Sequence, residues 1–344
     1  MRHSIITISM AVAASAATAF SAFGEGAPYR VLTAKGAVEI DPVSNGVFRI
    51  TTLPTRDAAT PAPTQAAAGH GSPAGITAWS SPGKFTVASP STIVEVDKTT
   101  GKVSFLNHEK AVLLQEAESA RKDGDGQSVV FLTPKGERFY GAGERGHSLT
   151  LNGSELPMWN RANYGYGEGD SRISQANICM PYIVSDRGNG ILIDDYAKAN
   201  LKIGADTILY STIAGKPLSY YFINGDGSLA GATENFTGLT GRQPLPPFWT
   251  LGYITSKYGY HNQKEAYGAI DSLKQRDYPV DGMVLDLYWY GVETDMGRLA
   301  WDSKQWPDHR KMLADLNAQG IHVVPIHQPY INKIGALDNY NLLD

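Results

Sequence analysis

The hydrophobic rhythm of the chain changes once, at "GRQPLPPFW" (Gly241 to Trp249), and that change limits the possible folds more than any other feature. Before it, apolar and polar residues alternate, the period-two pattern of strands with one buried face. After it, short unbroken apolar runs take turns with stretches whose apolar residues recur every three or four positions. That is the pattern of buried strands joined by amphipathic helices. Pro244, Pro246 and Pro247 stiffen the backbone between the two regimes and mark a connector. With 344 residues there is room for two cores. The expectation is a β-sandwich domain over residues 23–243 and an α/β region over residues 244–344.

In the first half, "AVEIDPVSNGVFRITTL" sets Asn45-Gly46 between two alternating runs, a strong hairpin signal. "STIVEVDKTTGKVSFLN" repeats the design around Thr100-Gly101, and "GNGILIDD" and "KPLSYYFING" continue it. Many short strands between Gly, Asn and Asp turns predict an antiparallel sandwich. Over residues 57–75, "DAATPAPTQAAAGHGSPAG" is mostly Ala, Pro, Gly and Thr. So little apolar surface predicts a flexible insertion.

In the second half, "WTLGYITS", "VDGMVLDLYW" and "IHVVPIHQP" read as strands. Between them, "NQKEAYGAIDSLKQRDYP" and "WPDHRKMLADLNAQG" read as helices. Asn262 is a cap with Glu265 three residues on, Pro307 suits a first turn, and Gly320 is a stop. The β-α-β-α-β order requires a parallel sheet, the start of a doubly wound sheet or of a (β/α)8 barrel. "ITSKYGYHN" after the first strand lacks a G-x-G-x-x-G loop, which counts against nucleotide binding. In a barrel, chemistry gathers at the C-terminal ends of the strands. Those ends carry Lys257 and Tyr258, then Asp286, Tyr288 and Trp289, then His327 and Gln328. Asp286 closes the apolar run of "GMVLDLYWYG", where it is either a pocket-mouth acid or a cap for the following loop.

A net charge of −4 offers no basic patch for nucleic acid. Residues 1–22 join a basic start at Arg2 and His3 to a short apolar stretch, with small-residue cleavage sites near Ala19 and Ala22. This reads as a secretory signal peptide, too short and too dotted with Ser and Thr for a membrane span. A secreted or periplasmic protein is therefore expected, with no membrane span. The single cysteine, Cys179, has no partner for an intramolecular disulfide and reads as a small buried side chain. The histidines fall at no metal-ligand spacing, so no metal and no cofactor are expected. "GERGHS" sets Ser148 beside His147 but lacks a nucleophile-elbow pattern. Nothing indicates an oligomeric state.

Three stretches resemble one known family. "PLPPFWTLGYITSKYGYHNQKEAYGAIDSLKQRDYPVDGMVLDLYWYG" (244–291) resembles the opening of the catalytic barrel of glycoside hydrolase family 31. "RFYGAGERGHSLTLNG" (138–153) resembles a motif of that family's N-terminal sandwich. "MWNRANYGYGEGDSRISQANICMPYIVSDRGNGILIDD" (158–195) resembles the loop and strands that follow it. The likeness covers about residues 35–344. It implies a galactose-mutarotase-like β-sandwich followed by the first three strands of a (β/α)8 TIM barrel. It further implies a retaining α-glycosidase acting on α-glucosides or α-glucan oligosaccharides, by hydrolysis or by transglucosylation.

Retaining enzymes need two carboxyl groups about 5 Å apart. In the family both come from later barrel strands, so the resemblance places the nucleophile and the acid/base beyond Asp344. It implies an incomplete enzyme, inactive as these residues alone. It assigns Asp286 to hydroxyls of the non-reducing sugar. Trp289, Tyr288, Tyr258, Lys257 and Gln328 complete the expected substrate-binding set, since aromatic rings pack on the C–H faces of sugars. Two positions depart from the family pattern. Gln328 stands before Pro329 where an acid is usual, keeping hydrogen bonds without the charge. Ala162 follows W-N-R where some relatives have Asp. "ETDMG" and "LAWD" are similar to the transglucosylase-like branch. Tyr164 and Tyr166 read as solvated loop residues. The expected partner is an α-linked oligosaccharide. The alternatives are a non-catalytic carbohydrate-binding remnant, or an α-xylosidase or α-galactosidase of the same family.

Overall fold

The computed structural model describes residues 28–68, 71, 73–146, 148–160 and 178–342. The expected leader over residues 1–22 and the stretch with Ala162, Tyr164 and Tyr166 lie outside the described residues. The chain divides into two compact units, Met1–Arg242 and Gln243–Asp344.

The first unit is built from two antiparallel sheets. One has the order β1 (Tyr29–Thr33), β2 (Gly36–Ser44), β3 (Val47–Leu53), β16 (Ser219–Asn224), β13 (Asn189–Ile193), β12 (Cys179–Ser185), β10 (Phe139–Gly143). The other runs β11 (Glu155–Met158), β14 (Ala199–Ile203), β15 (Thr207–Thr212), β9 (Gly126–Leu132), β8 (Val112–Asp123). It then continues through β7 (Val103–Leu106), β6 (Ile93–Asp97), β5 (Lys84–Ala88) and β4 (Thr77–Ser80). The Asn45-Gly46 turn forms the hairpin its sequence announces: Ser44 pairs with Val47, and Gly46 takes φ 88°, a left-handed conformation that favours glycine. The main core holds side chains of both sheets, where Phe105 of β7 stacks on Phe222 of β16 at 4.1 Å and Phe131 of β9 meets Tyr220 edge-on at 5.1 Å.

β13 and β16 are buried along their whole length, on both faces, where the alternating pattern expected of them would leave one face polar. Their second face is covered by helix α1 (Leu229–Thr240), which the β texture of the sequence does not announce. α1 is rich in Gly and Thr and buries only Ala232 and Leu239, too weak a stripe to stand out. It is held by the Ser228 cap, whose Oγ accepts from Gly231 N–H at 3.0 Å, and by Phe236 stacked on Tyr182 at 3.9 Å.

The stretch expected to be a flexible insertion, residues 57–75, is described at 57–68, 71 and 73–75. Residues 57–68 are tied to the sandwich: Arg30 donates to Thr60 Oγ1 at 2.8 Å and Arg49 to the Pro61 carbonyl at 3.0 Å. Thr64 N–H donates to Asp194 at 3.0 Å, Gln65 N–H donates to the Tyr196 hydroxyl at 2.7 Å, and Ala67 is buried. Composition counts the apolar surface that a segment owns. It does not see the anchors that other strands provide.

The second unit contains a parallel sheet, β17 (Ile254–Thr255), β18 (Gly282–Leu285) and β19 (His322–Pro325), with Ile254 opposite Gly282 and Gly282 opposite His322. Helices α2 (Gln263–Lys274) and α3 (His309–Ala318) supply the crossovers. Asn262 accepts from Glu265 N–H at 2.9 Å as the expected cap. Ala266, Ile270, Met312 and Leu316 share one core with Met283, Leu285 and Trp306. The first strand is shorter than its apolar run. Phe248–Leu251 turn as a 3₁₀ helix after the prolines, leaving Ile254 and Thr255 to pair.

Inside the sandwich, Glu116 is fully buried and accepts from the Tyr220 hydroxyl at 2.8 Å and from Val103 N–H at 2.9 Å. Burial pushes its carboxyl from 4.5 up to about 8, against the pull of those bonds. The folded state therefore keeps a proton that the unfolded chain releases above its ordinary carboxyl pKa. The contribution of Glu116 to stability is fully present below pH 4.5 and is lost progressively as pH rises through 8. Glu116→Gln can turn its carbonyl to Val103 and its amide to Tyr220, removing that slope. Urea unfolding of the sandwich from pH 5 to 9 measures it, and equal slopes in both proteins mean that Glu116 is ionised in the fold.

Candidate functional site

β18 ends at Leu285, and Asp286 starts a single 3₁₀ turn, Leu287–Trp289. Asp286 Oδ1 accepts from Leu287 N–H at 2.7 Å, so the carboxylate does cap the turn after the strand. Its Oδ2 has no partner among the described residues, and the side chain is only half-buried. Capping and ligand binding are thus compatible, one oxygen for each.

The turn sorts the three aromatics after Asp286. Trp289 points inward: it is 8% exposed, donates Nε1–H to the Ile326 carbonyl at 2.7 Å, and packs edge-on against Trp301 and Tyr290, each at 5.3 Å. It shapes the site from beneath and leaves no open face for a sugar. Tyr290 is also buried. Tyr288 stays half-buried, beside His261 at 4.2 Å and edge-on to Tyr258 at 6.2 Å. Its ring closes on the turn after β17, where a Cβ on Gly259 would lie 2.0 Å from it at φ +81°. Only glycine fits there. Trp306 anchors the same turn from below, donating Nε1–H to the Tyr288 carbonyl at 2.9 Å.

Tyr258 is exposed and donates its hydroxyl to Glu293 Oε1 at 2.5 Å. That bond, with burial and the charges of Glu293 and Asp286 behind it, raises the phenol to about 12. Lys257 is turned to α2, with Nζ 2.5 Å from Glu265 Oε1 and 4.8 Å from the centre of the Tyr260 ring. The Lys257 bond, followed by the one from His261 N–H, holds the Glu265 carboxyl at about 2. Lys257 thereby ties the loop after β17 to the first turn of α2. Gln328 is exposed, two residues beyond Ile326, whose N–H donates to the Leu285 carbonyl at 3.0 Å.

The structure thus gathers Asp286, Tyr258 and Tyr288 at one end of the sheet, sets Lys257 and Trp289 behind them, and leaves Gln328 on an exposed segment. Sequence reasoning missed Glu293 and His261 as neighbours of these tyrosines. Glu293 lies in a 3₁₀ turn, and the chain's only hint of it is the acidic pair in "ETD". Among the described residues no group of three or more His, Cys, Asp or Glu is placed to hold a metal.

A mostly antiparallel β domain is thus followed in the chain by parallel βα units whose strand ends are polar. Residues 243–344 match the family model "Glycosyl hydrolases family 31 TIM-barrel domain". Residues 37–201 match "Glycosyl hydrolase 31 N-terminal galactose mutarotase-like domain". The chain belongs to glycoside hydrolase family 31, with a galactose-mutarotase-like domain before the start of the TIM barrel. It is 28% identical over 233 residues to alpha-glucosidase 2 of Bacillus thermoamyloliquefaciens, covering 66% of this chain and 29% of that protein. It is 30% identical over 207 residues to an alpha-xylosidase of Lactiplantibacillus pentosus, covering 58% and 26%. The match thus spans less than a third of each relative. Among solved structures, a family 31 dextranase from Flavobacterium johnsoniae complexed with glucose shares the fold with TM-score 0.78 and 20% identity, over 93% of this chain and 39% of that one.

If Glu293 holds the Tyr258 proton, Glu293→Gln brings the phenol down from about 12 toward its ordinary 10. A carbon-13 NMR titration of labelled tyrosine reads the shift, with Tyr258→Phe assigning the resonance. A phenol already titrating near 10 in the unaltered protein would show that the pair does not form.

Proposed function

We propose that the chain is the N-terminal part of an exported retaining α-glycosidase that acts on α-glucosides and α-glucan oligosaccharides. Its barrel mouth holds the non-reducing sugar. One observation carries this reading: a half-buried carboxylate, one oxygen of which has no partner among the described residues, stands at the C-terminal end of β18, in a barrel domain of family 31. A carboxylate there accepts protons from two sugar hydroxyls, each bond strengthened by its charge. Tyr258 and Tyr288 offer ring edges and a hydroxyl beside it, Trp289 sets the depth, and Lys257 positions the loop. Gln328 is the neutral hydrogen-bonding member of the set. The nucleophile and the acid/base belong to later barrel strands of the enzyme, and its acceptor is water or a second sugar.

In the full-length enzyme, Asp286→Asn lowers kcat/KM on α-glucosides by about 2–4 kcal/mol of transition-state stabilisation, because charge-assisted bonds are lost while shape is kept. Its melting temperature moves little, since Asn keeps the capping oxygen. Gln328→Glu changes the preference among α-glucoside, α-xyloside and α-galactoside more than it changes stability. Steady-state kinetics on the three sugars checks both, and unaltered kinetics for Asp286→Asn on all of them reduces Asp286 to a structural cap.

Residues 1–344 by themselves release no aryl group from an aryl α-glucoside, each missing catalytic group being responsible for orders of magnitude in rate. Turnover above a matched blank overturns this. Export is tested by N-terminal sequencing of the secreted protein, which begins at Phe20 or Phe23 if residues 1–19 or 1–22 are removed; a retained Met1 counts against it.

A further inference from the structure

The first unit contains a cavity of about 600 Å³, bordered by the ends of β11, β12 and β13 and by α1, with Thr64 of the inserted segment on one side. That is the size of a small-ligand site. Its walls are mostly apolar, yet they converge on a few polar groups. Asp195 lines it, and Asp195 Oδ1 accepts from Ala197 N–H at 3.0 Å. Asp195 Oδ2 is buried and has no hydrogen-bond partner among the described residues. A carboxylate oxygen away from water is costly until a donor meets it. Lys198 also lines the cavity, with Nζ held 4.0 Å from the centre of the Trp159 ring. Trp159 and Tyr196 are large aromatics left 48% and 71% exposed at its border. Tyr196 is fixed in place by the bond its hydroxyl accepts from Gln65.

These groups select a type of ligand. One carboxylate and one ammonium at the same cavity disfavour a net anion and a net cation alike. A neutral polyhydroxylated ring suits both: its hydroxyls donate to Asp195, accept from Lys198, and leave C–H faces for the aromatic rims. The anchoring of residues 57–68 also acquires a purpose, because the bonds that Asp194 and Tyr196 accept from Thr64 and Gln65 set one wall of the cavity.

We propose that this cavity is a second sugar site, separate from the barrel mouth, which binds one neutral hexopyranose unit through Asp195, Lys198 and Trp159. The proposal rests on the lining of the cavity and stands whatever the barrel turns over.

The test is carried out in full-length protein bearing Asp286→Asn, which weakens the barrel mouth, and the sandwich site is read as the binding that the sandwich substitutions below remove. Calorimetric titration with maltotriose, with tryptophan emission as a second readout, shows saturable one-to-one binding. Adding Asp195→Asn presents a donor where a donor must be met and weakens binding by about tenfold or more. Trp159→Ala does the same. Lys198→Met changes an exposed side chain, leaves the melt unchanged and also weakens binding, which separates loss of ligand from loss of fold. Glucuronate binds less well than glucose. The proposal is overturned by the absence of saturable binding, by an affinity that all three sandwich substitutions leave unchanged, or by a preference for glucuronate.

Discussion

The buried ion pair between Arg49 and Asp194 is the constraint around which the sandwich is arranged. The side chains are 4% and 1% exposed, and Arg49 Nε donates to Asp194 Oδ2 at 2.8 Å. Two charges out of water are tolerated only where their remaining valences are filled. Here Arg49 also donates to Ser219 Oγ at 3.1 Å and to the Pro61 carbonyl, while Asp194 also accepts from Thr64 N–H. The pair therefore joins β3, β16 and the end of β13 and fastens the inserted segment over them. Asp195 and Tyr196 follow directly, so the same pair fixes the chain that borders the sandwich cavity.

In the second unit the equivalent role falls to tryptophans. Trp289 and Trp306 are nearly or wholly buried, and each donates its indole N–H to a backbone carbonyl, of Ile326 and Tyr288 respectively. A buried indole needs such a partner, and the partner's backbone is held in return. The turn after β18 is thereby locked beneath Asp286. The carboxylate reaches the mouth of the sheet on a rigid support, as binding with fixed geometry requires.

The family resemblance singles out the end of β18, and the fold treats the side chains there differently. Resemblance treated Tyr288 and Trp289 alike. Packing separates them: the 3₁₀ turn sends adjacent side chains in different directions, and the larger, more apolar ring takes the core. Glu293 reaches Tyr258 across 35 positions of sequence, a pairing that no local pattern encodes.

The sequence alone determined what depends on neighbours along the chain. The Asn45-Gly46 hairpin, the Asn262 cap of α2, the alternation of the sandwich strands and the switch to parallel βα units follow from backbone preferences and the repeat of apolar residues. Those act over a few positions and are written in order. Tertiary structure decided the rest: the anchoring of residues 57–68, the inward turn of Trp289, the helix α1 over β13 and β16, and the cavity beside Asp195. Each depends on partners far apart in the chain, 145 residues in the case of Arg49 and Asp194. The free energy of such contacts resides in burial and charge pairing between elements, so they exist only once the elements have met.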